Sequence, residues 1–441
     1  MFAWLKRLLG LQAQDPGASG AARADARLRQ TSAQAVQDVQ LEPAAGFGLR
    51  RPLVGRAGAV AGFELRLPEA AERRLRELPD PAAAAAHHVA LLASAATLSQ
   101  SGRPALVRMS AALLERPAVA AALPAGTMVL VDDLAQLPPA AAATLRAKGA
   151  MLGAPDGPPS REPPLDFVTL QAQASGMDGL LLSSQRWREL WPRLPVVALG
   201  LQHLDDVERA LRSGITLAGG QLGRSGQRTP PKELGTAAHR ICELLNHLAL
   251  DRDTAVIAQA VQADVALTYR MLRYANSPAI GARRSVESVD QAVLLLGRAE
   301  LYRWLSVLLM SSARERQASR ALQEDALARG RLLEAVARTR GDPDAGAFFT
   351  LGLLSVIEVL LQVPVATAVA PLRLGEAAHD ALLQRKGPWA NRLELLDAVD
   401  AGEAQRVDEL AAALGVGEQL PALQEEAWRW AADVTKAAAA V

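Results

Sequence analysis

Histidine and neighbouring carboxylate side chains are the groups in this sequence whose types could bind a metal ion or transfer a proton. His379-Asp380 is a His-Asp pair, and an imidazole beside a carboxylate can supply two ligands to a divalent ion. The pair lies within an amphipathic helical pattern, and we interpret it as part of a solvated helix face. His87-His88 are adjacent, and adjacent side chains of a helix point about 100° apart, so they cannot easily share one ion. Neither pair predicts a metal site.

Glycines and arginines between residues 219 and 228 could form a phosphate-binding loop. No helix follows immediately, because Pro230-Pro231 intervene, and the contribution of a helix dipole is therefore missing. We interpret the group as a loop at the exit of a sheet, and it is the best candidate for a nucleotide contact if one exists. Its members are Gly219, Gly220, Gly223, Arg224, Gly226 and Arg228. Arg283-Arg284 is a separate basic pair, which we assign to a solvated loop.

The composition sets the broad class of the protein. A chain of 441 residues has room for two or three domains, and a hydrophobic fraction of 50% can fill real cores. The 48 basic and 47 acidic residues balance, so no domain-wide positive charge predicts a nucleic-acid partner. Cys242 is the one cysteine, which rules out a disulfide within the chain and suits a reducing cytoplasm. It lies in the apolar phase of a helical pattern, where we expect a buried thiol.

The N-terminal run MFAWLKRLLGL is short, basic and amphipathic. It could lie on a membrane surface or bind a partner, and a frayed terminal helix is an equally good interpretation. Lys6 and Arg7 interrupt its apolar run, which argues against a signal peptide. Residues 12–45 are polar and favour a linker. No apolar run reaches about 18 residues, so no transmembrane helix is expected.

From Gly46 to about residue 229, apolar strand-like runs alternate with helical patterns. This alternation implies a parallel sheet, either open or closed into a barrel. A hairpin-like strand pair around Gly55–Gly58 comes first, and the run ITLAGGQLG comes last. The other predicted strands are Ala105–Ser110, Met128–Leu134, Ala150–Ala154, Asp166–Leu170, Asp178–Ser183 and Pro195–Gly200, and the predicted helices are Ala82–Ser99, Ala111–Leu123, Ala140–Lys148 and Leu204–Ser213.

After Pro230-Pro231 the patterns are helical throughout. Asp264 can cap one helix start, and Ser288–Gln291 forms a capping box at another. Gly297 is a helix-ending residue, and GAFFTLGLLSVIEVLLQVP predicts the most apolar helix of the chain. No polar residue recurs on the inner faces around residues 251–312, which indicates a packed core without a reaction centre.

The runs QADVALTYRMLRYANSPAIG and SVESVDQAVLLLGRAELYRWL resemble the core of the HDOD family. Members of this family are helical modules related to HD-type metal-dependent phosphohydrolases, without the metal ligands. The resemblance covers roughly the last 200 residues. In metal-binding relatives a Gly-Leu-Leu-His-Asp run supplies ligands, and here it reads Gly352-Leu353-Leu354-Ser355-Val356. Ser355 and Val356 cannot replace a histidine and a carboxylate as ligands.

Residues Gly46 to about Gln227 resemble a divergent EAL domain, the barrel family that hydrolyses cyclic di-GMP. The opening run RRPLVGRAGAVAGFELRLP carries Glu64-Leu65-Arg66 where the family has Glu-Ala-Leu, and LGLQHLDDVERALRSGITLAGGQLGRS resembles the closing segment. The resemblance implies a site in which carboxylates, an asparagine and a lysine hold two divalent metal ions. The segment looks shorter than a full barrel of eight βα units, which argues against a closed barrel. Few of the family's metal-binding residues are present.

The family's site positions carry mostly different residues in this chain. Glu64 retains the first glutamate, and Asp132-Asp133 lies near where another ligand belongs. The remaining positions fall on Arg108 for the asparagine, Pro155-Asp156-Gly157 for Asp-Asp-Phe-Gly, Thr169 for the lysine, Gln171 for its neighbouring aspartate, Ala198–Gln202 for Ala-Glu-Gly-Val-Glu, and Gly219-Gly220 for Gln-Gly. A cationic Arg108 would itself repel divalent ions.

We therefore predict an α/β plus all-α protein: a truncated or divergent TIM-barrel-like EAL domain followed by an all-helical HDOD domain. The expected segments are 1–45, an amphipathic segment and linker, 46–229, the EAL-like domain, and 230–441, the HDOD domain. We expect no catalytic, cofactor-binding or metal-binding residues and no cofactor. The expected function is regulatory, through contacts with other signalling proteins in a cyclic di-GMP-linked or related bacterial pathway. Alternatives are a cyclic di-GMP receptor and, less favoured, an active phosphodiesterase.

Overall fold

The computed structural model describes residues 49–67, 73–75, 77, 80–157, 165–223, 234–276, 280, 286–311, 317–343 and 345–439. These residues form two compact units. The barrel unit contains the described residues up to 223 together with Ala398–Asp408, and the helical unit contains those from 234 to Asp397 and from Glu409 onward. The predicted N-terminal segment and linker, residues 1–45, lie outside the described residues.

Eight strands of the described chain form a closed barrel in the order β1 to β8. β1 pairs antiparallel with both β2 and β8, and all the other pairs are parallel. The strands are β1 Leu49–Gly55, β2 Val60–Arg66, β3 Ala105–Met109, β4 Met128–Val131, β5 Met151–Pro155, β6 Phe167–Gln171, β7 Val196–Leu201 and β8 Leu217–Gly220. The prediction of a divergent TIM-barrel-like domain is confirmed, and the alternative of a truncated, incompletely closed barrel is wrong.

Apolar side chains from alternate strand positions fill the barrel. The buried cluster consists of Leu53, Leu106, Met128, Leu130, Phe167, Val197 and Leu199. Gly153 of β5 faces the Phe167 ring so closely that a Cβ atom at Gly153 would lie 2.4 Å from a ring carbon. The barrel is therefore a packed core, and only its ends are open to ligands.

Helices connect the strands of the barrel unit as α1 Pro81–Gln100, α2 Ala111–Leu114, α3 Pro117–Ala122, α4 Pro139–Ala147, α5 Ala172–Leu190 and α6 Leu204–Arg212. Two predictions are wrong here. The segment Asp178–Ser183, predicted as a strand, lies within α5. The single helix predicted over Ala111–Leu123 divides into α2 and α3, because Pro117 cannot continue a helix and instead begins the second.

Among the described residues, α1 is the single helix that is long and apolar enough to cross a membrane by length and composition alone. Polar residues interrupt its apolar run, and alanines supply much of its hydropathy. Its buried side chains include Val89, Leu91, Leu92 and Leu98, and the helix packs against β2 and β3 of the barrel. A core helix of this kind passes the same length and composition test.

The helical unit contains helices joined by short turns. They are α7 Thr236–Ala249, α8 Thr254–Gln262, α9 Val265–Ala275, α10 Val289–Ser311, α11 Ser319–Thr339, α12 Ala345–Leu354, α13 Ile357–Leu361, α14 Val365–Val369, α15 Glu376–Gln384, α16 Ala390–Ala401, α17 Ala404–Ala413 and α18 Leu420–Ala439. The apolar run predicted as one helix after residue 344 is in fact α12 and α13, since Ser355 and Val356 form a turn between them.

The predicted caps of α9 and α10 are present. The Asp264 carboxylate accepts hydrogen bonds from the backbone N–H groups of Ala266 and Leu267 at 2.9 and 3.1 Å. Ser288 accepts from the N–H of Gln291, whose side-chain oxygen accepts from the N–H of Glu287. Gly297 interrupts α10 with φ of 69°, a conformation that glycine adopts without the steric cost of a Cβ atom.

Asn276 closes the connection between α9 and α10. Its amide nitrogen donates to the carbonyl of Val286 at 2.7 Å, and its amide oxygen accepts from the N–H of Val286 at 2.7 Å. The same nitrogen donates to the Leu272 carbonyl at the end of α9. One side chain therefore holds the two ends of the connection together. The Pro278 turn that was predicted between them lies outside the described residues.

A buried ion cluster joins α10, α11 and α18. Glu334 is fully buried and accepts from Arg303 at 2.6 Å, Arg331 at 3.0 Å and Arg338 at 2.8 Å. Arg331 also donates to Glu426 of α18 at 2.6 Å. Three guanidinium groups around one buried carboxylate compensate its desolvation and fix the orientation of these helices.

Cys242 is buried in α7, as its sequence pattern predicts. Burial is the main cause that raises the pKa of the Cys242 thiol to about 12, and the charge of Glu243 adds to it. The thiol is therefore protonated at neutral pH. Of the two C-terminal tryptophans, Trp430 is buried edge-on against Phe349 and Trp428 is half-buried, so neither is fully exposed.

Candidate functional site at the barrel mouth

A cavity of about 340 Å³ opens at the C-terminal ends of the parallel strands. This end of a TIM-like barrel is where the connecting loops gather and where ligands bind in the architecture as a class. The lining residues are Glu64, Leu65, Arg66, Leu106, Arg108, Leu130 and Gln171. The cavity floor is formed by the leucines of the barrel core, and its polar residues come from β2, β3 and β6.

Strand register explains why these residues meet. Glu64 pairs with Leu106, and Arg108 pairs with Leu130. Since Leu106 and Leu130 belong to the interior cluster, the residues beside them on the same side of the pleat also face inward. Glu64 is buried, with 5% of its surface exposed, whereas Arg108 is half exposed at the rim. A retained glutamate therefore lies in the cavity beneath an arginine.

Two further arginines lie near Glu64, and the family resemblance did not single them out. Arg66 is two residues along the same strand, so it faces the same cavity. Arg51 is the cross-strand partner of Glu64 in the β1–β2 hairpin. Burial lowers the pKa of Arg51, the carboxylate of Glu64 opposes this by raising it, and Arg66 lowers it further. The hairpin pattern together with period-two alternation is the signal that could have identified both.

Asp132 and Asp133, at the end of β4, have separate partners. Asp132 Oδ1 accepts from Arg108 Nε of the neighbouring strand β3 at 2.6 Å. Asp133 Oδ1 accepts from the backbone N–H of Ala111 at 2.7 Å, at the start of α2. The first carboxylate is therefore the counter-ion of the rim arginine, and the second holds a helix start.

Asp156, at the end of β5, is held by α5. Its Oδ1 atom accepts from Arg186 Nη2 at 2.7 Å and from the indole Nε1 of Trp187 at 2.8 Å. Arg186 also donates to the carbonyl of Gly157. Asp156 is not among the residues that line the cavity, so the structure separates it from Glu64.

The ends of β6, β7 and β8 carry uncharged groups. Thr169 is fully buried, and its hydroxyl has no hydrogen-bond partner among the described residues, while Gln171 lines the cavity. Gln221 is buried and donates to Gln202 at 3.5 Å. Gly219 and Gly220 lie where a Cβ atom would be 2.7 Å from Leu53 and 2.5 Å from the Leu201 carbonyl. These two glycines serve strand packing at barrel closure, while Arg224, Gly226 and Arg228 lie outside the described residues.

The mouth does not fit a pair of divalent metal ions. Such ions need several hard oxygen ligands converging from strand ends. Here Asp132, Asp133 and Asp156 each have a cationic or N–H donor, and Arg51, Arg66 and Arg108 place positive charge beside Glu64. Among the described residues, no group of three or more His, Cys, Asp or Glu side chains could hold a metal ion.

In the helical unit, an arginine side chain lies beside Ser355. Ser355 and Val356 stand where the metal-binding relatives of the HDOD family have His and Asp. Ser355 donates to the carbonyl of Gly352 at 2.6 Å and accepts from Arg329 Nη1 at 3.4 Å. The buried Arg329 also donates to the buried Asp325 at 2.8 Å. Val356 is buried and apolar. A guanidinium cation therefore lies beside Ser355, close to where Gly352 of α12 packs against the backbone of Arg329 in α11.

The remaining candidate pairs are dispersed. His379 is exposed and Asp380 is half-buried on α15, and their Nδ1 and Oδ1 atoms are 3.8 Å apart. His88 Nδ1 donates to the carbonyl of Ala84. Burial is the main cause that lowers the pKa of His87, and the charges of His88 and Arg74 lower it further. Arg283-Arg284 lies outside the described residues. None of these pairs is among the residues that line the cavity.

Comparison with protein families assigns the helical region. Residues 233–379 match the HDOD domain family. The C-terminal region of this chain therefore contains an HDOD domain, as predicted, and this region follows the closed eight-stranded α/β barrel.

Two curated relatives match part of the chain. The uncharacterized protein YuxH of Bacillus subtilis is 25% identical over 208 residues, which is 46% of this chain and 51% of YuxH. The cyclic di-GMP phosphodiesterase CdgJ of Vibrio cholerae is 26% identical over 182 residues, which is 41% of this chain and 42% of CdgJ. The matched region thus spans about half or less of either relative.

Solved structures similar to the barrel are EAL domains. The EAL enzyme Bd1971, in a cGMP-bound form, matches 49% of this chain and 70% of its own, with a TM-score of 0.32 and 14% identity. The EAL domain of FimX from Pseudomonas aeruginosa, bound to c-di-GMP, matches 44% of this chain and 93% of its own, with a TM-score of 0.30 and 13% identity.

Proposed function

We propose that this protein is a non-catalytic regulator in a cyclic di-GMP-linked bacterial signalling pathway and that it acts through contacts with other signalling proteins. The observation that supports this proposal most is the use of the rim carboxylates. Asp132 neutralises Arg108, Asp133 holds α2, and Asp156 holds α5. A phosphodiesterase of the two-metal class needs such carboxylates as ligands. Arg329 beside Ser355 supports the same conclusion for the HDOD domain.

A turnover assay tests the absence of catalysis. The purified full-length chain is incubated with cyclic di-GMP and millimolar Mg²⁺ or Mn²⁺, and the linear dinucleotide product is measured by chromatography. We expect no product above the protein-free control, with an active EAL phosphodiesterase as the positive control. Metal-dependent turnover that disappears in the Glu64→Ala variant would contradict the proposal. Turnover that persists in that variant would come from a contaminating enzyme.

A second function, a cyclic di-GMP receptor without hydrolysis, is favoured by the charge of the mouth. Arg66 and Arg108 line a cavity of about 340 Å³, Arg51 lies beside Glu64, and guanidinium groups are suited to phosphate oxygens. Arg108 would have to exchange its bond with Asp132 for one with the ligand. This binding would need no metal ion.

Calorimetric titration separates the two functions. A receptor gives a saturable heat with cyclic di-GMP in the presence of EDTA, and the Arg108→Ala variant weakens it at least about tenfold, as expected for a charged hydrogen bond. The Arg209→Ala variant is the matched control, because Arg209 pairs with Asp178 on the outer surface. The absence of heat at ligand concentrations near 1 mM would exclude the receptor function and leave the regulatory one.

A further inference from the structure

Most of the exposed large apolar side chains of the described residues lie within one stretch of the helical unit. Of the nine large apolar residues with high exposure in the described chain, six lie between α7 and the first half of α10. Four of these six are Val265 and Tyr269 of α9, 84% and 63% exposed, and Leu294 and Leu295 of α10, 70% and 45% exposed. We name these four residues the α9–α10 face. Such grouped exposure on a monomer marks an interaction site.

The two helices that carry the face are neighbours. Gln262, just before α9, donates to Asp290 at the start of α10 at 3.1 Å. Tyr274, at the end of α9, donates to Glu300 at 2.6 Å. Leu267 and Met271 of α9, like Ala292 and Val293 of α10, are buried. The outward sides of both helices are therefore left to solvent.

The face carries both charge signs, on different helices. Arg270 and Arg273 are exposed on α9, and the guanidinium of Arg273 lies 5.5 Å from the centre of the Tyr269 ring. Glu287 and Asp290 are exposed where α10 begins. Within the described part of the chain, the side chains of Arg270 and Glu287 make no hydrogen bond or ion pair. A surface with an apolar centre, a basic side and an acidic side is complementary to a copy of itself rotated by 180°.

We propose that the α9–α10 face is the contact between two copies of this chain in a two-fold symmetric dimer. Val265, Tyr269, Leu294 and Leu295 bury one another's surface across the axis, and Arg270 pairs with the partner subunit's Glu287. Each contact occurs twice because the interface is isologous. The charge pairs set the orientation, and the apolar centre supplies most of the affinity. This inference does not depend on the state of the barrel mouth.

Sedimentation velocity and light scattering of the full-length chain test the dimer. We expect a mass of twice 46.6 kDa at micromolar concentrations. The Tyr269→Glu and Leu294→Glu variants are expected to be monomers with unchanged circular dichroism, because both positions are on the surface. The matched control is Leu182→Glu, which changes an equally exposed leucine of α5 and should leave the dimer intact. A monomeric wild type, or a dimer that only Leu182→Glu dissociates, would overturn the proposal.

A charge exchange tests the orientation. Arg270→Glu and Glu287→Arg should each weaken dimerisation about tenfold, since each places like charges together at two symmetric positions. The double variant restores opposite charges and should dimerise within about threefold of the wild type. Additive weakening in the double variant would show that the two residues do not pair and would overturn this arrangement of the interface.

Discussion

At the residue scale, the acidic side chains of the barrel rim are distinguished by what they bond to. Glu64 shares its cavity with Arg66 and Arg108, and Arg108 is the partner of Asp132. Asp156 sits at a strand end, where a catalytic carboxylate would be looked for, but an indole and a guanidinium from α5 hold it. The type and position of an acid therefore do not decide its role, because the partner that folding brings to it does.

Asp156→Ala is expected to destabilise the protein by about 1–3 kcal/mol. The buried indole N–H of Trp187 would lose its acceptor, and an unsatisfied buried donor costs about this much. Urea unfolding followed by tryptophan fluorescence measures the change. Asp178→Ala is the control, because its 86%-exposed carboxylate makes one surface ion pair and should contribute less than about 0.5 kcal/mol. Equal losses in both variants would contradict the assigned role of Asp156.

Asp264 should make stability depend on acid pH. Hydrogen bonding from the backbone of Leu267 is the largest cause that holds its pKa below the usual value, and burial opposes the shift. A carboxylate whose pKa is depressed in the folded state stabilises above the unfolded pKa of about 3.9 and loses this effect as pH falls through the folded pKa. Asp264→Ala should therefore cost about 1 kcal/mol at pH 7 and progressively less below about pH 4.

The control for Asp264 is Asp253, the residue before α8. Its side chain makes no capping hydrogen bond. Asp253→Ala should change the free energy of unfolding at pH 7 by less than about half as much as Asp264→Ala. If the two variants showed the same pH profile, hydrogen bonding by the cap would not be the cause.

At the element scale, the ends of helices were easier to predict than the identity of short apolar segments. The capping residues Asp264 and Ser288 mark real helix starts, because their hydrogen bonds are local in sequence. Asp178–Ser183 was predicted as a strand, because a run of three leucines satisfies either structure. Its helical state follows from the barrel, in which β6 pairs with both β5 and β7 and no place remains for another strand.

The side-chain contacts at the rim of the barrel could not be predicted from the sequence in the same way. Arg108 and Asp132 are 24 residues apart, and Trp187 and Asp156 are 31 apart. Neither pair has a local pattern that indicates contact. The HDOD runs were recognisable because they combine caps, helix stops and apolar spacing over a long segment, whereas the rim depends on strand register, which a one-residue shift would change.

Asn276→Ala is expected to loosen the connection between α9 and α10. The substitution removes both hydrogen bonds to the backbone of Val286 and the bond to Leu272, at a cost of about 1–3 kcal/mol. Hydrogen exchange measured by mass spectrometry should show faster exchange of the Val286 amide. Gln262→Ala removes one exposed hydrogen bond of the same region and should leave that amide unchanged. Unaltered exchange in Asn276→Ala would contradict the assigned role.

At the scale of the whole molecule, the barrel unit and the helical unit each have a packed core and an internal hydrogen-bond network. The barrel is closely packed at Gly153 against Phe167, and the helical unit contains a buried ion cluster at Glu334. A defect in either core should act mainly within its own unit.

Two core variants should destabilise different parts of the protein. Gly153→Ala forces a Cβ atom against the Phe167 ring and should cost about 1–3 kcal/mol in the barrel. Glu334→Ala leaves three arginines without their shared carboxylate and should cost about 3–5 kcal/mol in the helical unit. Hydrogen exchange should localise each change. A uniform increase over both units in either variant would show that they open as one.

The buried Cys242 has a practical consequence for spectroscopy of this protein. Since its thiol is protonated at neutral pH and buried, it should react very slowly with maleimide and spin-label reagents, which are attacked by thiolates. Two cysteines introduced at exposed positions would then be the two sites that take labels. Distances measured between such labels, by fluorescence transfer or pulsed electron resonance, could follow the protein in its wild-type background without first replacing a native residue.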